Sequence, residues 1–151
     1  MALEIGKKAP EFALPDEEGH EVRLEDYRGK RVVVFFYPKA MTSGCTREAC
    51  DFRDEIAAFK KRKTEVIGIS KDKPASQKKF KEKYALPFRL LSDPEVVVHR
   101  AYGVWGEKTM YGKRVMGTVR TTVVIGPDGT VESIFRKVKV DGHVAEVLGA
   151  L

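Results

Sequence analysis

No asparagine occurs anywhere in the 151 residues, and the side-chain amides come down to one glutamine, Gln77. In a chain rich in Lys, Arg and Glu, that depletion of labile amides leans towards a thermophilic source. Cysteine is nearly absent too: Cys45 and Cys50 are the whole supply. Two thiols cannot staple a disulfide-dense scaffold, and in a reducing compartment a close pair suits catalysis or redox sensing better than structure. Long apolar runs are missing, with nothing near the roughly 18 consecutive residues of a membrane span. The leading segment from Met1 to Lys8 has no apolar h-region, so export is not expected and a cytoplasmic setting is. Linkers, repeats and low-complexity segments are also lacking. Residues 1–151 are therefore read as a single domain, long enough to bury a core. Charge is unbalanced, with a net +6, but much of the excess lies in Lys60-Lys61-Arg62-Lys63 and in the Lys71–Lys83 segment. The first reads as a basic helix C-terminus. The second reads as the solvated face of an amphipathic helix that turns Phe80 and Tyr84 inward. No recognised nucleic-acid motif accompanies them, so nucleic acid is not an expected partner.

What is present is a succession of short, well-punctuated elements. Phe12–Pro15 and Glu21–Leu24, separated by Asp16-Glu17-Glu18-Gly19, read as an N-terminal hairpin. Arg31–Tyr37 is β-branched and aromatic, a buried strand that Pro38 ends. From Ser43 the apolar period changes: Cys45, Ala49, Phe52, Ile56 and Phe59 share one helical face. A second apolar strand is expected at Glu65–Ser70, a charged helix at Pro74–Tyr84 and a strand at Pro87–Leu91. Ser92-Asp93-Pro94-Glu95 carries helix-start signals for Val96–Tyr102. Gly103 to Gly117 is expected to be a long loop holding Trp105. Arg120–Ile125 and Thr130–Arg136 flank Gly126-Pro127-Asp128-Gly129, a strong hairpin turn, and Gly142–Leu151 closes as a helix. This order implies an α/β fold, a mixed central β-sheet flanked by helices, with a thioredoxin-like arrangement as the natural candidate.

The cysteine pair has geometry of its own. Cys45 falls in the first turn of a helix that follows a strand, where unpaired backbone N–H groups and the positive end of the helix dipole favour a thiolate. Two residues five apart on an ideal helix differ by about 7.5 Å of rise and roughly 140° of rotation, which puts their Cα atoms about 8.7 Å apart. A disulfide tolerates only about 4.4–6.8 Å. Cys45 and Cys50 therefore cannot bond while both stay helical, and any bridge requires the segment to unwind. Spacing alone leaves two readings open, a pair of ordinary buried thiols or a redox couple that cycles between helix and local unfolding.

The segment Pro38-Lys39-Ala40-Met41-Thr42-Ser43-Gly44-Cys45 resembles the peroxiredoxin signature Pro-x-x-x-Thr-x-x-Cys. Its continuation Gly44-Cys45-Thr46-Arg47-Glu48-Ala49-Cys50 is similar to the Q-type subgroup, also called bacterioferritin comigratory proteins. The likeness runs from Gly6-Lys7-Lys8-Ala9-Pro10-Glu11-Phe12 through Met110-Tyr111-Gly112-Lys113 to Arg120 and the Gly142-His143 helix. Ser43 departs from it, standing where many relatives have proline, and Ala40-Met41 is less polar than usual.

The resemblance implies a thiol-dependent peroxidase of the atypical two-cysteine kind, acting on hydrogen peroxide and organic hydroperoxides. Cys45 would attack the peroxide and become a sulfenic acid. Cys50 would resolve it as an intramolecular disulfide, and thioredoxin or a similar dithiol would reduce the bridge. Thr42 would offer its hydroxyl to the sulfur or the peroxide, Arg120 a fixed charge, and Pro38 a shield against water. Glu48 would orient an arginine. Each has a plainer alternative: Thr42 a cap-region residue, Arg120 a surface strand residue, Glu48 a carboxylate answering the helix dipole. His20, His99 and His143 show no ligand spacing with the cysteines, so no metal and no cofactor is expected. The expected state is a monomer.

Overall fold

The apolar run beginning at Arg31 becomes the middle strand of a five-stranded sheet, which explains why it carries no polar alternation: it is covered on both faces. The computed structural model describes residues 3–151; Met1 and Ala2, at the head of the stretch read as one domain, lie outside the described residues. In chain order the strands are β1 (Ala13–Pro15), β2 (Glu21–Arg23), β3 (Arg31–Phe36), β4 (Thr64–Ser70) and β5 (Arg89–Ser92). They continue with β6 (Trp105–Met110), β7 (Lys113–Thr118), β8 (Thr121–Ile125) and β9 (Val131–Phe135). The helices are α1 (Ser43–Asp54), α2 (Ile56–Lys61), α3 (Pro74–Tyr84), α4 (Val97–Ala101) and α5 (His143–Gly149).

The central sheet runs β5-β4-β3-β8-β9. β3 is parallel to β4 and antiparallel to β8, and β4 is parallel to β5. This is the expected mixed sheet, and β1 and β2 form the expected N-terminal hairpin. Alternation along β3 divides the interior in two. Val32, Val34 and Phe36 face a core shared with Phe12, Leu14, Val98 and Tyr102. Val33, Phe35 and Tyr37 face a core shared with Cys45, Ala49, Phe52, Phe59, Phe80 and Val147. Phe35 stacks on Phe52 with ring centroids 4.7 Å apart, so the cysteine helix is packed directly onto the central strand.

Two features differ from the sequence expectations. The helical periodicity from Cys45 to Phe59 is interrupted at Glu55 (φ −106°, ψ 11°), which divides it into α1 and α2. Residues 103–117 are also not a loop. They hold most of the β6–β7 hairpin, in register from Trp105 opposite Thr118 to Met110 opposite Lys113. Its two-residue turn, Tyr111-Gly112, has positive φ at both positions, 52° and 76°, the conformation that matches the twist of paired strands. Tyrosine is an uncommon choice there, and that concealed the turn.

Candidate active site

Strand pairing assembles the site. β3 ends at Phe36, opposite Thr121, the first residue of β8. The chain leaving β3 through Pro38 and the chain entering β8 from Arg120 therefore meet at one edge of the sheet. α1 begins there, with Thr42 as its N-cap residue in extended conformation. The first intrahelical bond runs from the Thr46 N–H to the Thr42 carbonyl, 2.9 Å. The N–H groups of Ser43, Gly44 and Cys45 precede that bond and have no helical acceptor.

Cys45 is 1% exposed. Both cysteines are free thiols and both lie within α1, a helix whose geometry keeps them too far apart to bond. Arg120 Nη2 donates to Cys45 Sγ at 3.3 Å, and Nη1 donates to Glu48 Oε1 at 2.6 Å. One guanidinium thus spans the sulfur and the carboxylate, using the fork that arginine presents and lysine lacks. Gly44 leaves room for it, since a Cβ there would lie 3.3 Å from Nη2.

Glu48 is wholly buried, and its second oxygen, Oε2, has no hydrogen-bond partner. Burial pushes its carboxyl up to about 7, against the opposing pull of Arg120. A side chain that the sequence left between answering the helix dipole and orienting an arginine is buried and bonded to Arg120. Cys50, half-buried five residues after Cys45, has its thiol pushed up by burial, with Arg53 opposing.

Thr42 lies at the expected position, but its hydroxyl donates to the Lys39 carbonyl at 2.7 Å. With the proton committed there, its lone pairs remain to accept. Pro38 is half-buried at the start of the loop and contributes no N–H. Of the histidines, His99 and His143 are buried. His99 bonds Asp93 and Thr118, while His143 bonds Thr122 and Glu146. No group of three or more metal-ligating side chains is present among the described residues.

Sequence reasoning missed Lys108. On β6, its ammonium donates to the Thr118 carbonyl at 3.0 Å. Burial lowers its pKa, Arg120 lowers it further and Cys45 opposes, which places it in the electrostatic field of the site. Reading residues 103–117 as a loop removed the one signal that could have found it, a strand leading back to Arg120.

Comparison with known proteins places the chain in a family. Residues 5–134 match the model of the AhpC/TSA family. The chain is 49% identical to a putative peroxiredoxin bcp of Coxiella burnetii over 151 residues, all of both chains. It is 48% identical to peroxiredoxin Bcp of Bacillus subtilis, over all of this chain and 96% of that one. Among solved structures, the bacterioferritin comigratory protein of Xanthomonas campestris, whose study concerns alkyl peroxide reduction, superposes with a TM-score of 0.89 at 37% identity. That match covers 98% of this chain and 94% of the other. A mutant of PrxQ from Xylella fastidiosa gives a TM-score of 0.91 at 33% identity, covering 97% and 94%. With the sulfur, guanidinium and carboxylate placed as they are, the chain belongs to the AhpC/TSA family, as a peroxiredoxin of the Bcp, or Q, type.

Proposed function

We propose that this peroxiredoxin reduces hydrogen peroxide and organic hydroperoxides through Cys45 and Cys50 and is recycled by thioredoxin or a similar dithiol. The observation that carries the reading is the Arg120 bridge between Cys45 Sγ and Glu48. The Cys45 thiolate attacks the nearer peroxide oxygen. The S–O bond forms as the O–O bond breaks, and the departing oxygen takes a proton to leave as water or alcohol. Arg120, the free N–H groups at the start of α1 and the Thr42 lone pairs surround the place where charge develops on oxygen, supplying preorganised stabilisation. Pro38 limits water at the same edge.

Cys50, as thiolate, then attacks the sulfenic sulfur. The disulfide forms and the sulfenic oxygen leaves as water. That step requires the first turns of α1 to open. An external dithiol returns two electrons, and the helix re-forms.

The test is peroxide consumption by pure protein with thioredoxin, thioredoxin reductase and NADPH, with mass spectrometry of the oxidised product. A Cys45–Cys50 linkage and rapid turnover are expected, and Cys45→Ser should abolish both. Full activity of Cys45→Ser would sink the assignment.

A further inference from the structure

The chain's one glutamine is fully buried. It sits on the inward face of α3, three residues before Phe80, and joins a hydrogen-bond circuit outside the cysteine site. Tyr37 Oη donates to Gln77 Oε1 at 2.5 Å. Gln77 Nε2 donates to Ser70 Oγ at 2.9 Å and to the Leu91 carbonyl at 2.8 Å. Ser70 Oγ donates to Asp72 Oδ2 at 2.7 Å and accepts from the Asp72 N–H at 3.1 Å. The same Asp72 oxygen accepts from the backbone N–H of Ala40 at 2.7 Å. Ala40 is three residues after Tyr37, so the circuit leaves the chain at the end of β3 and returns to it in the middle of the Pro38–Thr42 loop.

That loop needs holding. Pro38 has no N–H to offer. Met41 stands at φ 70°, a left-handed conformation that costs a side chain with a Cβ and persists only where its surroundings enforce it. The Thr42–Lys39 bond is local to the loop. Apart from the bond that starts α1 at Thr42, the Asp72–Ala40 bond is, among the described residues, the one hydrogen bond that ties the loop to another part of the fold, the junction between β4 and α3. Immediately beyond the loop come the first turn of α1 and Cys45.

We propose that Asp72 is a positioning residue for Cys45: it latches the Pro38–Thr42 loop closed, and the strength of the latch sets how readily the first turn of α1 opens for disulfide formation. The inference rests on the peroxidase reading above. With the latch closed, Cys45, Arg120 and the N–H groups keep the geometry that oxidation uses. With it released, Cys50 gains access, and a second peroxide has less time to convert the sulfenic acid to sulfinic acid with loss of water or alcohol. Asp72 thus trades speed of the first oxidation against speed of resolution.

The test follows single-turnover oxidation of the full chain by hydrogen peroxide, with the sulfenic, disulfide and sulfinic forms resolved by quenched mass spectrometry. Asp72→Ala is expected to slow the first oxidation and to speed disulfide formation by roughly fivefold, raising the peroxide level that produces sulfinic acid in proportion. Asp72→Asn keeps an oxygen acceptor for Ala40 and Ser70 and should stay within about twofold of the unaltered chain. In the reduced protein, amides of residues 40–49 should exchange faster in Asp72→Ala while those of β3 do not, which a general loss of stability would not produce. If Asp72→Ala fails to fold, Ser70→Ala weakens the same latch and is read the same way. Unchanged or slower disulfide formation in the folded variant overturns the latch. Failure of Cys45 to oxidise in the unaltered chain overturns the peroxidase reading, and the latch with it.

Discussion

The two cysteine turns of α1 are less than two helical turns apart, yet they differ in almost every physical respect. Cys45 is sealed against the central strand, with a guanidinium on its sulfur and unbonded N–H groups about it. Cys50 is half-buried, flanked by Asp51, Arg53 and Asp54, and its thiol is pushed up by partial burial. One helix thus carries a sealed thiol paired with a guanidinium at its start and a half-buried thiol five residues on. The lesson is that what sets the two thiols apart belongs to the end of the helix and to what the sheet brings to it, and not to cysteine as such.

The largest effect should come from removing the feature that only the first turn has. Arg120→Met is expected to lower kcat/KM for hydrogen peroxide by on the order of 10²–10³-fold, the range typical for a lost charge-stabilising donor. A stopped-flow assay that finds less than a tenfold loss would break the asymmetry between the two turns. Cys50→Ser should leave the first oxidation of Cys45 within about twofold but stall recycling by thioredoxin; steady turnover by that variant would move the resolving thiol elsewhere.

Glu48 sharpens the comparison through pH. Its folded carboxyl is raised from an ordinary 4.5 to about 7, so between those values the folded protein holds a proton that the unfolded chain has released. Stability from this group is therefore fully present below about 4.5 and is lost as pH rises through about 7. Glu48→Gln keeps an acceptor for Arg120 and should remove that loss. Urea unfolding across pH 5 to 8 should show the unaltered chain weakening relative to the variant by on the order of 1–3 kcal/mol. A constant difference would refute the raised carboxyl. The smallest effect is expected from Gly44→Ala, whose Cβ meets Arg120 Nη2 at 3.3 Å. A slight displacement of the guanidinium should slow the first oxidation by only about two- to fivefold, measured in the same stopped-flow assay.

Legibility in the sequence followed distance along the chain. β3, α3 and the β8–β9 hairpin appear within a residue or two of where periodicity and turn residues put them. The break at Glu55 did not, because no glycine or proline marks it and Phe52 to Phe59 still keeps helical spacing across it. The β6–β7 hairpin was missed because its turn is Tyr111-Gly112 and its strands, half polar and each carrying a glycine, show no clean apolar alternation. Of the site, Pro38, Thr42, Cys45 and Glu48 lie within eleven consecutive residues, while Arg120 was legible only through family resemblance. Ser70, Asp72 and Gln77 were not legible at all. No local rule sends a carboxylate after β4 to an N–H after β3.

By itself, the sequence determined that a thiol stands in the first turn of a helix and that its partner, five residues on, cannot reach it without unwinding. Both follow from helix geometry, which is local. Only the tertiary structure decided that Arg120 would bridge Cys45 and Glu48, that Glu48 would be buried with one oxygen unpaired, and that Asp72 would hold the loop. Those contacts join residues 32 to 75 positions apart, and they exist only once β4 and β8 have paired with the two sides of β3.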